Sequence, residues 1–285
     1  MYEKVLFPTD FSEYAKKTLQ CIEDIPGIKE VVLLHVVDAT KPSKHGWIFE
    51  PQIEDAKIIL EEQKGHIENI GLKATTKLDV IRSGSVPNTI LETADKDDVD
   101  LIVLNARGKG LVRSLLLGSV PLEVIRNSKR DILLMRQKLA EDLEGKKFEK
   151  FCPRILSKVL YPTDFSKLSE NRLSFVKNLS IQEIVLVHVV TKGETAEEIE
   201  NNIQDAKKQL EDINKKFKDA GFKTKEHVRV GHPSDEICSL AEEEDVSLIA
   251  MSSHGKSWVE ELLIGDTTFD VAKRAKTPVL ILKPK

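Results

Sequence analysis

Residues that would give this chain an obvious chemistry are scarce: three cysteines, three methionines, two tryptophans and three tyrosines in 285 residues. Cys21, Cys152 and Cys238 fall at no metal-ligand or redox spacing, which argues against a zinc or dithiol site and reads as free thiols. Acidic and basic residues nearly balance, 47 against 43, for a net charge of −4. No bulk charge therefore draws the chain to nucleic acid or to an anionic membrane. No apolar run approaches the roughly 18 residues of a membrane helix, and Met1 leads straight into a strand pattern without a secretory signal. A cytoplasmic protein is expected. Catalytic signatures are missing as well. Gly255-Lys256-Ser257 imitates the end of a phosphate-binding P-loop, but Ala250 stands where that motif needs glycine. Gly108-Lys109-Gly110 opens like a dinucleotide fingerprint, and Arg113 occupies the third glycine position. No nucleophile elbow or His-Glu-x-x-His helix occurs.

What the chain does have is a repeat. Lys4-Val5-Leu6-Phe7-Pro8-Thr9-Asp10-Phe11-Ser12 recurs as Lys158-Val159-Leu160-Tyr161-Pro162-Thr163-Asp164-Phe165-Ser166, with Asp10 and Asp164 154 positions apart (164 − 10). Val32-Leu33-Leu34-His35-Val36-Val37 recurs as Val185-Leu186-Val187-His188-Val189-Val190. Gly108 and Gly118 recur as Gly255 and Gly265, each 147 positions on (255 − 108, 265 − 118). The shrinking offset means that loops differ in length on one shared framework. Two tandem domains follow, residues 1–137 and 158–285, joined by a charged linker over 138–157.

Within each half, short β-branched runs alternate with helical patterns, the mark of βαβ units and a parallel sheet. In the first half the runs fall at Lys4 to Phe7, Val31 to Val37, Ala74 to Ile81, Leu101 to Leu104 and Ile132 to Met135. A helix from about Ile53 answers to a clearer one whose Ile199, Ile203, Ala206, Leu210, Ile213, Phe217 and Ala220 step by three and four. Gly71 and Gly221 stand where those helices should stop. The predicted class is α/β, with two tandem doubly wound sheets of five parallel strands and four helices each.

Ligands in such sheets bind at the carboxyl ends of the strands, near the point where strand order reverses. The repeated residues gather there: Pro8-Thr9-Asp10 after the first strand, His35-Val36 late in the second, and a glycine loop from Asn105 to Ser119 after the fourth. Strand, glycine loop and a helix capped by Ser119 make an anion site, because free backbone N–H groups and the helix dipole favour phosphate. Asp10 and Asp164 are also placed to cap the helices that follow them. His35 and His188 read as hydrogen-bonded core residues. Trp47 and Phe49 lack second-half counterparts and read either as a plug beneath a loop or as an interface or lid patch.

With Pro-Thr-Asp-Phe-Ser, Leu-Leu-His-Val and the glycine loop in place, both halves resemble the universal stress protein family. Its ATP-binding branch carries Gly-x2-Gly-x9-Gly-Ser/Thr. Gly108, nine intervening residues and Gly118-Ser119 match the last three elements, while Asn105 stands for the first glycine. The resemblance implies a fold like that of the adenine nucleotide alpha hydrolases, and an adenine nucleotide (ATP, ADP or AMP) as ligand, with or without magnesium. It implies that Asp10 contacts the adenosine and that the Val36 backbone pairs with the adenine edge. Gly108, Gly118, Ser119 and the Val120 amide would hold phosphates, while Pro8 and Thr9 shape the floor. In the second half Asp164 and Val189 hold the adenosine positions, with Ser252, Gly255, Gly265 and Asp266 in the loop. Ser252 replaces the first glycine and Asp266 the serine or threonine, so this half reads as a degenerate site. The resemblance further implies that the halves pair through their fifth strands as a pseudo-dimer within one chain, and it leaves room for a homodimer and for an unidentified regulatory protein partner. It implies a stress-response sensor or regulatory module with no enzymatic activity. A slow ATPase or phosphotransferase, and an interaction protein without ligand, are the competing readings.

Overall fold

A computed structural model describes residues 2–42, 46–106, 117–136, 138–141, 147–150, 155–191, 195–255 and 264–284. The chain divides into two compact units, Met1–Met135 and Arg136–Lys285. The first runs β1 (Lys4–Pro8), α1 (Glu13–Gln20), β2 (Glu30–Asp38), α2 (Glu50–Asn69), β3 (Lys73–Ile81), α3 (Val86–Lys96), β4 (Leu101–Asn105), α4 (Ser119–Asn127) and β5 (Asp131–Met135). Its strands are parallel, in the order β3-β2-β1-β4-β5.

The second unit begins with an antiparallel pair, β6 (Lys138–Glu141) and β7 (Lys147–Lys150). The span read from sequence as a plain linker therefore contains a hairpin. Then follow β8 (Lys158–Pro162), α5 (Lys167–Lys177), β9 (Glu183–Val190), α6 (Ala196–Asp219), β10 (Lys223–Val230), α7 (Pro233–Glu243), β11 (Leu248–Ser252), α8 (Asp266–Arg274) and β12 (Val279–Leu282). These strands are also parallel, in the order β10-β9-β8-β11-β12. Among the described residues, each unit thus has the predicted five-stranded parallel sheet and four α-helices, and strand order reverses between β1 and β4 and between β8 and β11.

Strands covered on both faces must be apolar throughout. Val5, Leu6, Phe7, Leu101, Ile102 and Val103 are fully buried, as are Val159, Leu160, Tyr161, Ile249 and Ala250. The long helices stop as expected. Gly71 (φ +85°) and Gly221 (φ +88°) take the left-handed conformation just past α2 and α6, and the Leu72 and Phe222 amides return to the Ile67 and Phe217 carbonyls. Cys238 is a free thiol. Cys21 is disulfide-bonded, which corrects the free-thiol reading at that position. Among the described residues, no helix is long and apolar enough to cross a membrane.

One position on the buried face of α2 breaks the apolar pattern. Ala56, Leu60 and Ile67 point inward together with Gln63, and Gln63 is only 7% exposed. Neither of its amide atoms finds a hydrogen-bond partner among the described residues. Ala56, Leu60 and Ile67 recur 150 positions on as Ala206, Leu210 and Phe217, which aligns Gln63 with Ile213. The framework accommodates an apolar side chain there. Gln63→Met should stabilise the first unit by about 1–2 kcal/mol, the desolvation penalty of an unpaired amide. The check is a higher denaturant midpoint at unchanged slope; a lower midpoint would contradict it.

The second unit carries a charge cluster at the amino end of its sheet. The Glu244 carboxylate accepts hydrogen bonds from Lys158 Nζ (2.5 Å) and Lys225 Nζ (2.7 Å). The Lys158 bond, then the Lys225 bond, hold its pKa down from 4.5 to about 2. A carboxylate with a folded pKa below its unfolded value contributes stability that is full above the unfolded value. Here that contribution is present above about pH 4.5 and lost as pH falls toward 2. Glu244→Gln should destabilise the unit by about 1 kcal/mol at neutral pH, allowing for solvent screening. The difference from the native chain should shrink as pH falls from about 4.5 and vanish only below about pH 2. Thermal melts across this range test it, and a pH-independent difference would be the wrong outcome.

Candidate functional site

The turn after the first strand is built identically in both units. Thr9 Oγ1 accepts the Phe11 N–H (3.2 Å), Asp10 Oδ1 accepts the Ser12 N–H (3.0 Å), and Ser12 Oγ accepts the Ala15 N–H (3.2 Å). In the second unit Thr163, Asp164 and Ser166 make the same three bonds to Phe165, Ser166 and Ser169 (3.1, 3.1 and 3.3 Å). Ser12 and Ser166 are therefore the helix caps. Asp10 and Asp164 brace the turn before the cap, which corrects the reading of them as caps.

Sequence reasoning missed the phenylalanines. Phe11 (φ +59°) and Phe165 (φ +57°) both occupy the left-handed region, which is strained for a bulky residue. Each ring stacks on the histidine of the neighbouring strand, Phe11 on His35 at 4.1 Å and Phe165 on His188 at 4.5 Å. The histidine Nδ1 in turn bonds the carbonyl of Thr9 (2.7 Å) or Thr163 (2.8 Å). The available signal was the phenylalanine recurring inside both Thr-Asp-Phe-Ser copies.

Among the described residues, that turn leaves part of the adjoining strand without a strand partner on its β1 side. The Thr9 N–H bonds the Leu34 carbonyl (2.8 Å), and Pro8 is the last residue of β1 in register with β2. In a parallel pair, alternate residues turn both peptide groups to the same neighbour. Val36, two residues past Leu34, therefore directs its N–H and C=O beyond the end of β1. Val189 does the same beyond β8, because the Thr163 N–H bonds the Val187 carbonyl (2.9 Å). Each edge offers a donor and an acceptor side by side.

Across the switch point, Asn105 ends β4 with its side-chain oxygen bonded by the Thr18 hydroxyl. It is not among the residues of positive φ, so the chain needs no left-handed residue there. Gly108, with Arg107 and Lys109, lies outside the described residues. The N-cap of α4 is Gly118 and that of α8 is Gly265, neither with a side-chain cap bond. Ser119 and Asp266 are the first helical residues, which corrects the reading of Ser119 as the cap. Val120 follows in the same first turn. Among the described residues, no side chain caps the first-turn amides of α4 or α8, which is the arrangement in which a helix start can receive an anion. The connection after β2 carries Trp47 (68% exposed) and Ile48 (58%) on its surface, so Trp47 is no buried plug.

In the second unit these positions converge on a cavity of about 770 Å³, whose wall includes Asp164, Val189, Ser252, Gly255, Gly265 and Asp266. All six residues read from sequence as the second site therefore line one space, of the size that holds small-molecule ligands. A Cβ on Gly255 would lie 2.4 Å from Asp164 Oδ2, so any side chain there must displace that carboxylate. Ser252 turns its hydroxyl to the His254 carbonyl (3.0 Å), and Thr268 bonds the Ser252 carbonyl (2.9 Å). These bonds fix Ser252 and His254 at the cavity wall.

A model described as the universal stress protein family matches residues 1–136 and 156–283. Universal stress protein Slr1230 of Synechocystis is 26% identical over 81% of this chain and 72% of its own length. Universal stress protein MJ0577 of Methanocaldococcus jannaschii is 38% identical over 45% of this chain and 95% of its own. The crystal structure of a universal stress protein from Archaeoglobus fulgidus superposes with a TM-score of 0.71 at 25% identity, covering 98% of this chain and 96% of that one.

Proposed function

The chain belongs to the universal stress protein family, and on that premise we propose that its first unit binds an adenine nucleotide and works as a binding module in the stress response. Gly118 carries this reading. Its φ of −64° suits any residue, and among the described residues a Cβ there would meet nothing closer than Pro121 Cδ at 3.5 Å. Neither the backbone nor the described packing asks for glycine. A ligand seated against the α4 amides would, since glycine lets phosphate approach the backbone.

The other groups suit the rest of such a ligand. The Val36 N–H and C=O complement the acceptor and donor of an adenine edge, and Asp10, half-buried beside them, can accept from a ribose hydroxyl. Thr9 and Pro8 form the base of that corner. Thermal melts with ATP, ADP and AMP, with and without magnesium, test the proposal. A ligand at 100 times its dissociation constant should add about 2.7 kcal/mol of stability. No shift with any of the three would refute it. A single-turnover assay with labelled ATP checks the non-enzymatic part; product forming at a rate above solution hydrolysis would favour the ATPase reading.

A further inference from the structure

We propose that the cavity of the second unit binds a nucleoside without phosphate, adenosine in the first instance, so that one chain reads two charge states of one ligand. The inference rests on the adenine reading of the first unit. It starts from the cavity, about 770 Å³ in volume, and from what differs between the two copies of the site.

The half of the site that would meet a nucleoside is the same in both units. Asp164 repeats Asp10 with the same turn, Val189 repeats Val36 with the same outward peptide groups, and Asp205 lies on the cavity wall 150 positions after Asp55. The half that would meet phosphate differs. Asp266 replaces Ser119 and His254 replaces Arg107, both 147 positions on (266 − 119, 254 − 107). One change adds a negative charge and the other removes a positive one.

Among the described residues, the cavity wall holds the carboxylates Asp164, Asp205 and Asp266 and no lysine or arginine. Its two imidazoles already have work: His188 Nδ1 is on the Thr163 carbonyl, and His254 Nδ1 is on the Ser253 hydroxyl at 2.8 Å. Carboxylates accept from hydroxyl and amino groups and repel phosphate. A ribose offers hydroxyl donors, and the Val189 edge suits a base. The Asp266 carboxylate stands at the start of α8, where phosphate would otherwise meet the helix N-terminus.

Calorimetric titration of the full chain, without metal, tests this. Adenosine should saturate at two per chain and ATP at one. Gly255→Val, which drives a side chain into the Asp164 carboxyl, should remove one adenosine and leave the ATP count unchanged. Hydrogen exchange on the native chain supplies the second measurement: adenosine should slow exchange over residues 187–191 at least tenfold, and metal-free ATP should not. An adenosine count insensitive to Gly255→Val, or no protection of that segment, would overturn the inference. So would ATP binding there as tightly as adenosine, with or without magnesium. If ATP fails to bind at all while a Gly255-dependent adenosine remains, the first-unit reading fails and this one stands.

Discussion

Gly118→Val should abolish nucleotide binding by the first unit while the chain stays folded. The two halves of that expectation come from separate observations. Folding is expected to hold because φ is −64° at Gly118 and, among the described residues, a Cβ would find ordinary contacts at 3.5–3.9 Å. Binding is lost because the added side chain stands at the N-cap, over the first-turn amides of Ser119 and Val120. An anion held by those N–H groups needs hydrogen-bond distance of about 3 Å, and a branched side chain prevents that approach. A loss of at least a hundredfold in affinity is expected, with an unchanged circular dichroism spectrum. Unchanged affinity would take the helix terminus out of the binding mechanism. Unfolding would show that glycine serves the packing after all.

A single ATP per chain, measured in the absence of metal, is the second expectation. Asp266 lies at the first position of α8 on the wall of the second cavity, where Ser119 stands in the first unit. A carboxylate and a phosphate charge about 4 Å apart repel by roughly 4 kcal/mol at an effective dielectric of about 20, close to a thousandfold in affinity. Asp266→Ser removes the repulsion and restores the residue of the first unit, so the ATP count should rise from one toward two. The native chain binding two, or the variant staying at one, would show that Asp266 does not govern phosphate entry.

Much of this protein was legible in its sequence. The repeat, the two α/β units and their five strands each followed from local patterns. A strand buried on both faces must be a continuous apolar run, and an amphipathic helix must step by three and four, whatever surrounds them. The right-handed crossovers of such units then bring the strand carboxyl ends to one edge, so Asp10, Val36 and Asn105 could be assigned to a common place before any coordinates. Gly71 and Gly221 were equally legible, because a helix stop is a local event.

What only the tertiary structure decided depends on distances between residues far apart in the chain. Ser12, not Asp10, caps α1, and Gly118, not Ser119, caps α4, because one residue of backbone path separates the alternatives and sequence does not resolve it. Phe11 and Phe165 hold a left-handed backbone against their local preference; each ring has a histidine on the adjacent strand to stack against. Gln63 is an amide without a partner among the described residues only because α2 turns that face inward. Trp47 reads as apolar in sequence and is exposed in the fold. Two substitutions mark the second site in sequence, and only the fold shows that its six residues line one cavity. Composition records which charges are present, and whether they fill a space or line one is settled by packing.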